Sequence, residues 1–292
     1  MPKHVQKWYI HYKYSVLEVW EMRRSNRLVA LTNYFLENPY NHVKLPYFSD
    51  LYNASKSSIS EDLDIIDDMF KHEEIGYLQR LSGATGGVKY IPSLSSNKSE
   101  AFVTSLCKQL EDPNRLLPGG YLYMSDLLGD PLKVKTIGQI FASLFSDLKI
   151  DVVMTIATKG IPLAYAVATY LNVPVVIVRR DPKVIEGSSV SIHYSSASSH
   201  KVQTMVLTKQ SLSEGANVCI IDDFMKAGGT ISGMESLLKE FNANVKAIGV
   251  LAEADDEEDE RVVKDYTSLI KITDFNMKDK KVEVKPGNFL CE

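Results

Sequence analysis

The sequence predicts an α/β protein of two domains, in which a small helical domain precedes a larger one built on a mainly parallel sheet. Its length of 292 residues is about twice that of an average domain. In the first part of the chain, apolar residues recur three and four positions apart, as on one face of a helix. Further along, short apolar runs typical of buried parallel strands alternate with helical segments.

Composition and charge narrow the functional classes. Hydrophobic residues make up 45% and charged residues 24% of the chain, which excludes disordered, collagen-like and disulfide-stapled proteins. The three cysteines form no CxxC pair, so we expect neither a zinc site nor a disulfide framework, and a cytoplasmic location. No run approaches the ~18 apolar residues of a membrane span. The net charge of -4 supplies no overall attraction for nucleic acid, so DNA binding must rest on local charge.

The first 21 residues stand apart from the rest. They hold both tryptophans of the chain, show no clean period and run directly into Met22. We interpret residues 1–21 as upstream-start or vector-derived sequence ahead of a natural start at Met22. The alternative is an extra N-terminal helix, since Tyr12 and Val16 lie one helical turn apart.

Three short helices are predicted next. The first ends at Asn38-Pro39, the second covers residues 46–52 with a proline at an early position, and the third covers residues 55–70. The apolar stripes that predict the first and third helices are Leu28, Leu31 and Phe35, and Ile59, Leu63, Ile66 and Phe70.

A β-hairpin is predicted after the helices. Residues 77–81 and 88–91 are strand-like and flank a turn rich in glycine. Three helices followed by a hairpin make a winged helix-turn-helix domain, which we place at residues 22–94. The polar, aperiodic segment 93–99 marks the boundary to the second domain, residues 95–292.

The third helix has the polarity of a recognition helix. Basic residues outnumber acidic ones between residues 22 and 60, and acidic residues dominate from 61 to 74. We therefore expect its N-terminal end to approach DNA, and we interpret Asp62 and Asp64 as keeping the remainder away from it. The alternative is a module for dimerisation or protein docking. The residues expected to contact DNA are Arg23, Arg24, Arg27, Lys56, Ser57, Ser58, Ser60 and Lys89.

The most informative stretch of the second domain covers residues 218–230. A buried strand ends in Asp222 and Asp223, and a loop of small residues then opens a helix, at the sheet edge where α/β folds bind ligands. Gly228 and Gly229 allow the backbone N–H groups of residues 226–230 to wrap a phosphate. The two carboxylates are suited to accept hydrogen bonds from sugar hydroxyls. The pattern therefore predicts a site for a phosphorylated sugar.

A second loop supports this prediction. Thr158, Lys159 and Gly160 follow another buried strand and also open a helix, and Lys159 is suited to neutralise a diphosphate as a point charge. Residues 181–208 are rich in serine and have no strong core pattern. We interpret the acidic run from Glu253 to Glu260 as a solvated loop rather than a cation site, and we predict no metal site of protein ligands.

The strand, acidic pair and Gly-Gly-Thr loop resemble the phosphoribosyl-pyrophosphate (PRPP) signature of type I phosphoribosyltransferases. The resemblance implies that the acidic pair holds the ribose hydroxyls, that the 226–230 loop holds the 5-phosphate, and that the 158–160 loop holds the pyrophosphate beneath a hood at 181–208. It implies PRPP as ligand, with Mg²⁺ bound through it. The implied PRPP-binding residues are Asp222, Asp223, Phe224, Lys226, Ala227, Gly228, Gly229, Thr230, Thr158, Lys159 and Gly160.

From Met22 onward the chain is more similar still to the purine operon regulators of Gram-positive bacteria. The shared motifs are KSSISEDL at 56–63, GGVKYIP at 86–92, LPGGY at 117–121 and IDDFMKAGGT at 221–230. This resemblance implies a homodimer that binds a duplex DNA operator near purine gene promoters and responds to PRPP.

The same resemblance implies that the second domain has no catalytic residues. Ala254 follows Glu253 where oxopurine-handling relatives carry a lysine, and Lys226 stands where many enzymes have a small residue. The alternative is a purine, xanthine-type phosphoribosyltransferase with an accessory domain. An RNA-binding attenuator is disfavoured by the preceding winged helix and by the lack of an aromatic stacking platform.

Overall fold

A computed structural model describes residues 22–83, 86–117, 121–181, 187–196, 201–254, 261–276 and 281–290. The interpretation of residues 1–21 concerns a segment outside these ranges, and so does most of the acidic run, residues 255–260. Of the helices in the described ranges, none has the length and apolar character needed to cross a membrane.

The first domain contains three helices and a hairpin, as the apolar periods predict. Its elements are α1 (Arg24–Glu37), α2 (Leu45–Tyr52), α3 (Lys56–His72), β1 (Gly76–Leu81) and β2 (Gly87–Pro92), with β1 and β2 antiparallel. Pro46 lies in the first turn of α2, where its missing N–H costs nothing. Ser55 caps α3 by accepting a hydrogen bond from the Ser58 N–H at 3.1 Å.

The core of the first domain joins all three helices to the wing. Its fully buried side chains include Leu31, Phe35, Phe48, Ile59 and Leu63. Removing a side chain of this size from water contributes about 1.5–3 kcal/mol of stability. A β-bridge between Val43 and Val88 ties the loop before α2 to the wing. These contacts set the orientation of α3 relative to β1 and β2.

The second domain is built on a six-stranded sheet. Its strands are β5 (Val152–Ile156), β6 (Val175–Val178), β9 (Asn217–Met225), β10 (Asn244–Ala254), β11 (Thr267–Asn276) and β12 (Lys281–Pro286). Their order in the sheet is β12-β11-β10-β9-β5-β6, and all neighbouring pairs are parallel except β11–β12. The predicted mainly parallel sheet is confirmed. Its helices are α4 (Ser96–Leu110), α5 (Ser125–Gly129), α6 (Pro131–Leu144), α7 (Ile161–Leu171) and α8 (Gly229–Lys239).

Two hairpins lie outside this sheet. The short pair β3 (Leu116–Leu117) and β4 (Tyr121–Leu122) precedes α5, and β7 (Ser189–Ser196) pairs with β8 (Lys201–Thr208). The expectation of no core pattern at 181–208 is therefore wrong, because Tyr194, Met205 and Leu207 are buried. Tyr194 and Met205 pack so closely on α8 that a Cβ at Gly233 would lie 3.0 Å from each.

Two further elements differ from expectation. Helix α4 begins at Ser96, capped by the Ser95 side chain, so most of the segment 93–99 is the start of a helix. Strand β9 continues through the acidic pair to Met225, because β10 pairs with it along that length. The carboxylates thus belong to the last residues of a paired strand, which holds their backbone rigidly.

Candidate functional site

The acidic pair lies at the carboxyl end of β9, between β5 and β10. Asp222 is only 4% exposed and Asp223 is half-buried, and the Asp223 N–H donates to Asp222 Oδ1 at 2.9 Å. Burial raises the pKa of Asp222 well above its usual range, and the neighbouring charge of Asp223 raises it further. Burial also raises the pKa of Asp223. The pair therefore gains stability from any ligand that donates hydrogen bonds or positive charge.

The predicted phosphate loop follows β9 directly and opens α8. Gly228 adopts a left-handed conformation with φ of 85° at the N-cap, and no side chain of the described residues caps this helix end. The first N–H groups of α8 are thus directed at a position suited to an anion. The Val262 N–H donates to the Ala227 carbonyl oxygen at 3.1 Å, which braces the loop from outside.

The second loop follows β5, the strand next to β9. Thr158 and Lys159 are exposed, whereas Gly160 is buried at the N-cap of α7. The peptide bond between Ala157 and Thr158 is cis. A Cβ at Gly160 would overlap Thr155 Oγ1 and would lie 3.2 Å from Asp222 Oδ1. The second loop therefore packs directly against the buried carboxylate of Asp222.

Two cationic side chains, Lys159 and Arg180, act on the acidic pair. Lys159 and Arg180 both lower the pKa of Asp223, and Arg180 also lowers that of Asp222. Burial raises both pKa values and has the larger effect. Sequence reasoning missed Arg180, although the Arg-Arg dipeptide directly after the apolar strand β6 was a usable signal. It also missed Thr155, whose buried hydroxyl has no hydrogen-bond partner among the described residues.

The remaining predicted ligand residues lie around the same sheet edge. Phe224 is half-buried and packs against the core of the domain, Lys226 is exposed, and Thr230 lies half-buried in the first turn of α8. Within the described ranges no cluster of three or more His, Cys, Asp or Glu side chains is placed to hold a metal ion.

Glu253 does not belong to a solvated loop, contrary to expectation. It is buried at the end of β10, in register with Met225 of β9. Its carboxylate accepts a hydrogen bond from Ser268 Oγ at 2.7 Å and another from the Tyr266 hydroxyl, and it pairs with Arg261. This network fixes the segment that braces the phosphate loop through Val262.

The DNA-binding residues predicted on α3 occupy its exposed N-terminal end. Lys56 and Ser57 are exposed in the first turn, and Ser58 is half-buried with its hydroxyl 2.9 Å from that of Ser55. Arg23 is exposed just before α1, at the N-terminal end of the same domain.

Arg27 requires a different role from the one predicted. It is 8% exposed and its Nε donates at 2.5 Å to Asp62 Oδ2, a carboxylate with no exposed surface. Arg24 binds the other oxygen of Asp62 at 2.9 Å but keeps 53% of its side chain exposed. Asp62 therefore anchors α3 to α1 instead of keeping the helix away from DNA, and Arg27 is a structural partner of Asp62.

Lys89 is also placed differently from the prediction. Its neighbours Val88 and Tyr90 point into the core of the first domain, so strand alternation turns Lys89 to the opposite face of β2. There it lies 5.8 Å from the centre of the Tyr40 ring and lines a cleft between the domains together with Asp147. It faces the second domain, away from α3.

These features define a class: a winged-helix domain joined to a domain with the phosphoribosyltransferase fold. Residues 23–92 match the family described as "Bacterial purine repressor, N-terminal", and residues 125–286 match "Phosphoribosyl transferase domain". The fold of the second domain resembles that of adenine phosphoribosyltransferase from Thermoanaerobacter pseudethanolicus, with a TM-score of 0.50 and 24% identity over 57% of this chain and 98% of that one.

Relatives that match almost the whole chain specify the family. "Purine biosynthesis transcriptional repressor PurR" of Bacillus subtilis is 57% identical over 92% of this chain and 94% of its own length. "Purine biosynthesis transcriptional activator PurR" of Lactococcus lactis is 43% identical over 91% of this chain and 98% of its own length. Xanthine phosphoribosyltransferase of Agathobacter rectalis is 33% identical over only 50% of this chain. The chain belongs to the family of bacterial purine biosynthesis regulators.

Proposed function

We propose that this chain is a DNA-binding transcriptional regulator of purine biosynthesis and salvage genes, controlled in the cytoplasm by PRPP bound at the Asp222–Asp223 pair. The observation that carries the proposal is the share of this chain that each relative matches. Relatives named as transcriptional regulators match more than nine-tenths of the chain, including both domains, whereas a xanthine phosphoribosyltransferase matches half. The relatives that share the winged helix are named as regulators, not as enzymes.

The ligand site has a complementary group for each part of PRPP. The acidic pair accepts hydrogen bonds from the ribose hydroxyls, and the N–H groups of residues 226–230 bind the 5-phosphate. Lys159 and Arg180 neutralise the diphosphate, to which Mg²⁺ is bound through the ligand's own oxygens. Hydroxyl donors and the cation both favour the ionised acidic pair, so PRPP affinity rises with pH across the range in which the pair titrates.

The DNA site is the exposed N-terminal end of α3. Lys56 and Ser57 are exposed where they can reach base edges or phosphates in a major groove, and Arg23 and Arg24 approach the backbone from the start of α1. We propose a homodimer that presents two such helices to a duplex operator, because a two-fold protein matches two half-sites.

Helix α7 connects the two sites. It begins directly after Gly160 in the diphosphate loop and ends at Leu171. The next residue, Asn172, donates from Nδ2 to the Pro39 carbonyl oxygen at 2.9 Å, just after α1 of the first domain. A ligand that moves the 158–160 loop therefore acts on the winged helix through one rigid element. A coupling free energy of about 1–3 kcal/mol is typical of such a link.

Retention of a labelled purine promoter fragment by the full chain, titrated with PRPP and Mg²⁺, tests this function. A transferase assay with PRPP and purine bases is run on the same sample. We expect operator binding that PRPP changes by several-fold, with no nucleotide formed. Formation of nucleotide and pyrophosphate would indicate a phosphoribosyltransferase, and tighter retention of matched RNA than of duplex DNA would indicate an attenuator.

A further inference from the structure

A cluster on the surface of the first domain joins the wing to the recognition helix. Arg80, near the end of β1, donates from Nη1 to Ser60 Oγ at 2.9 Å. Its Nη2 donates to the Ser60 carbonyl oxygen at 3.0 Å and to Asp64 Oδ1 at 2.5 Å. The Arg80 side chain is 39% exposed and that of Asp64 is 66% exposed. The cluster therefore lies open to solvent, unlike the buried Asp62.

The position of the cluster places it on the surface offered to DNA. Lys56, Ser60 and Asp64 are four residues apart and share one face of α3, with a rise of about 6 Å from each to the next. Ile59 and Leu63, each one residue before Ser60 and Asp64, belong to the adjacent, buried face. Arg80 thus adds a second cation to the stripe that Lys56 begins, and brings it from the wing.

A DNA phosphate can replace Asp64 as the partner of Arg80. An exposed ion pair contributes little to stability, so the fold does not depend on it. A guanidinium binds a phosphate with the same fork of N–H donors that it offers to a carboxylate. The two hydrogen bonds from Arg80 to Ser60 remain when a phosphate replaces the Asp64 carboxylate, so they keep the guanidinium oriented.

We propose that Arg80 binds a backbone phosphate of the operator and that Asp64 is the intramolecular acceptor that competes with this phosphate. The inference rests on the proposed DNA binding and adds a residue that none of the sequence patterns indicated. Asp64 then lowers the affinity for the operator, because DNA binding must break the bond between Asp64 and Arg80 and place the Asp64 carboxylate near a phosphate.

Titration of full-length protein against fluorescent operator and unrelated duplex, at several salt concentrations, tests the proposal. We expect Arg80→Gln to weaken binding to both duplexes by about tenfold and to reduce the slope of log affinity against log salt by about one per protomer. Arg80→Lys keeps the charge and recovers most of the slope. Asp64→Asn strengthens binding by about threefold or more, and this gain shrinks in the Arg80→Gln background. PRPP affinity stays unchanged in every variant.

Asp68→Asn is the matched control. Asp68 is exposed on α3 one turn beyond Asp64, so removing its charge alters the helix equally but does not release Arg80. We expect it to change DNA affinity by less than twofold. An unchanged salt slope in Arg80→Gln, or weaker binding in Asp64→Asn, would overturn the proposal and make the cluster a structural brace. Absence of DNA binding by the unaltered protein would instead refute the proposed function.

Discussion

A methyl group added at Gly160 tests the effector site without changing either carboxylate or the DNA-facing helix. The new Cβ would overlap Thr155 Oγ1 and would lie 3.2 Å from Asp222 Oδ1. Thr155 is fully buried within β5, and Asp222 is buried within β9. Neither neighbour has room to move, so the 158–160 loop must shift.

The expected magnitude follows from the cost of overpacking. Inserting a methyl group into a well-packed site typically costs about 1–3 kcal/mol. If this cost falls on the ligand-binding position of the loop, PRPP affinity decreases by about 5–150-fold. Operator binding without PRPP should persist, with an affinity changed by no more than PRPP itself changes it, because the shifted loop reaches the winged helix only through α7.

Calorimetric titration with PRPP and Mg²⁺, alongside operator retention, measures both quantities. Gly129→Ala is the matched control, because a Cβ there meets nothing within 4 Å, and it should leave both affinities unchanged. If Gly160→Ala binds PRPP like the unaltered protein, the placement of the 158–160 loop at the ligand is refuted. A folded variant that loses operator binding without PRPP would refute the separation of the two sites.

Four further changes have distinct expected results. Asp223→Ala should abolish the heat of PRPP binding and the PRPP response of operator retention, while operator binding itself persists. Lys56→Ala should weaken operator binding severalfold with PRPP affinity unchanged, and a loss of both would contradict two separable sites. Asp62→Asn should lower the free energy of unfolding in denaturant titrations by about 3–5 kcal/mol, because Arg27 is left buried without its counter-ion. Asn172→Gly keeps the left-handed backbone (φ 54°) but removes the bond to Pro39, so it should preserve PRPP affinity and reduce the PRPP response of operator retention; an undiminished response would exclude this bond as a link.

The helices and most strands were predictable because buried apolar side chains leave a period in the sequence. The stripe of Ile59, Leu63, Ile66 and Phe70 placed α3 within two residues of its observed ends. The hairpin β7–β8 was not predicted, because its buried side chains, Tyr194 and the residues around Met205, lie in a serine-rich sequence that shows no apolar pattern. Those side chains are buried by packing on α8, which no local pattern reports.

The polar sites were predictable only where the backbone dictates them. The acidic pair and Gly228 after it indicate the end of a strand, a tight turn and a helix N-terminus. Asp62 was misinterpreted because a count of charges ignores the side of the helix to which each side chain points. Its spacing of three residues from Ile59 and four from Ile66 places it on the buried stripe. Lys89 was misplaced for a similar reason, since alternation along β2 turns it away from α3. Arg80 and its partners on α3 are distant in the sequence, so only the fold brings them together.

The most direct test of the account closes one thermodynamic cycle: the affinity for PRPP and Mg²⁺ is measured by calorimetry with and without saturating operator, and the operator affinity with and without saturating PRPP. Because coupling between two sites is reciprocal, we expect both affinities to change by the same factor, between about 5-fold and 150-fold. PRPP binding that leaves the operator affinity unchanged, or a PRPP affinity insensitive to the operator, would contradict the claim that this sugar phosphate controls DNA binding.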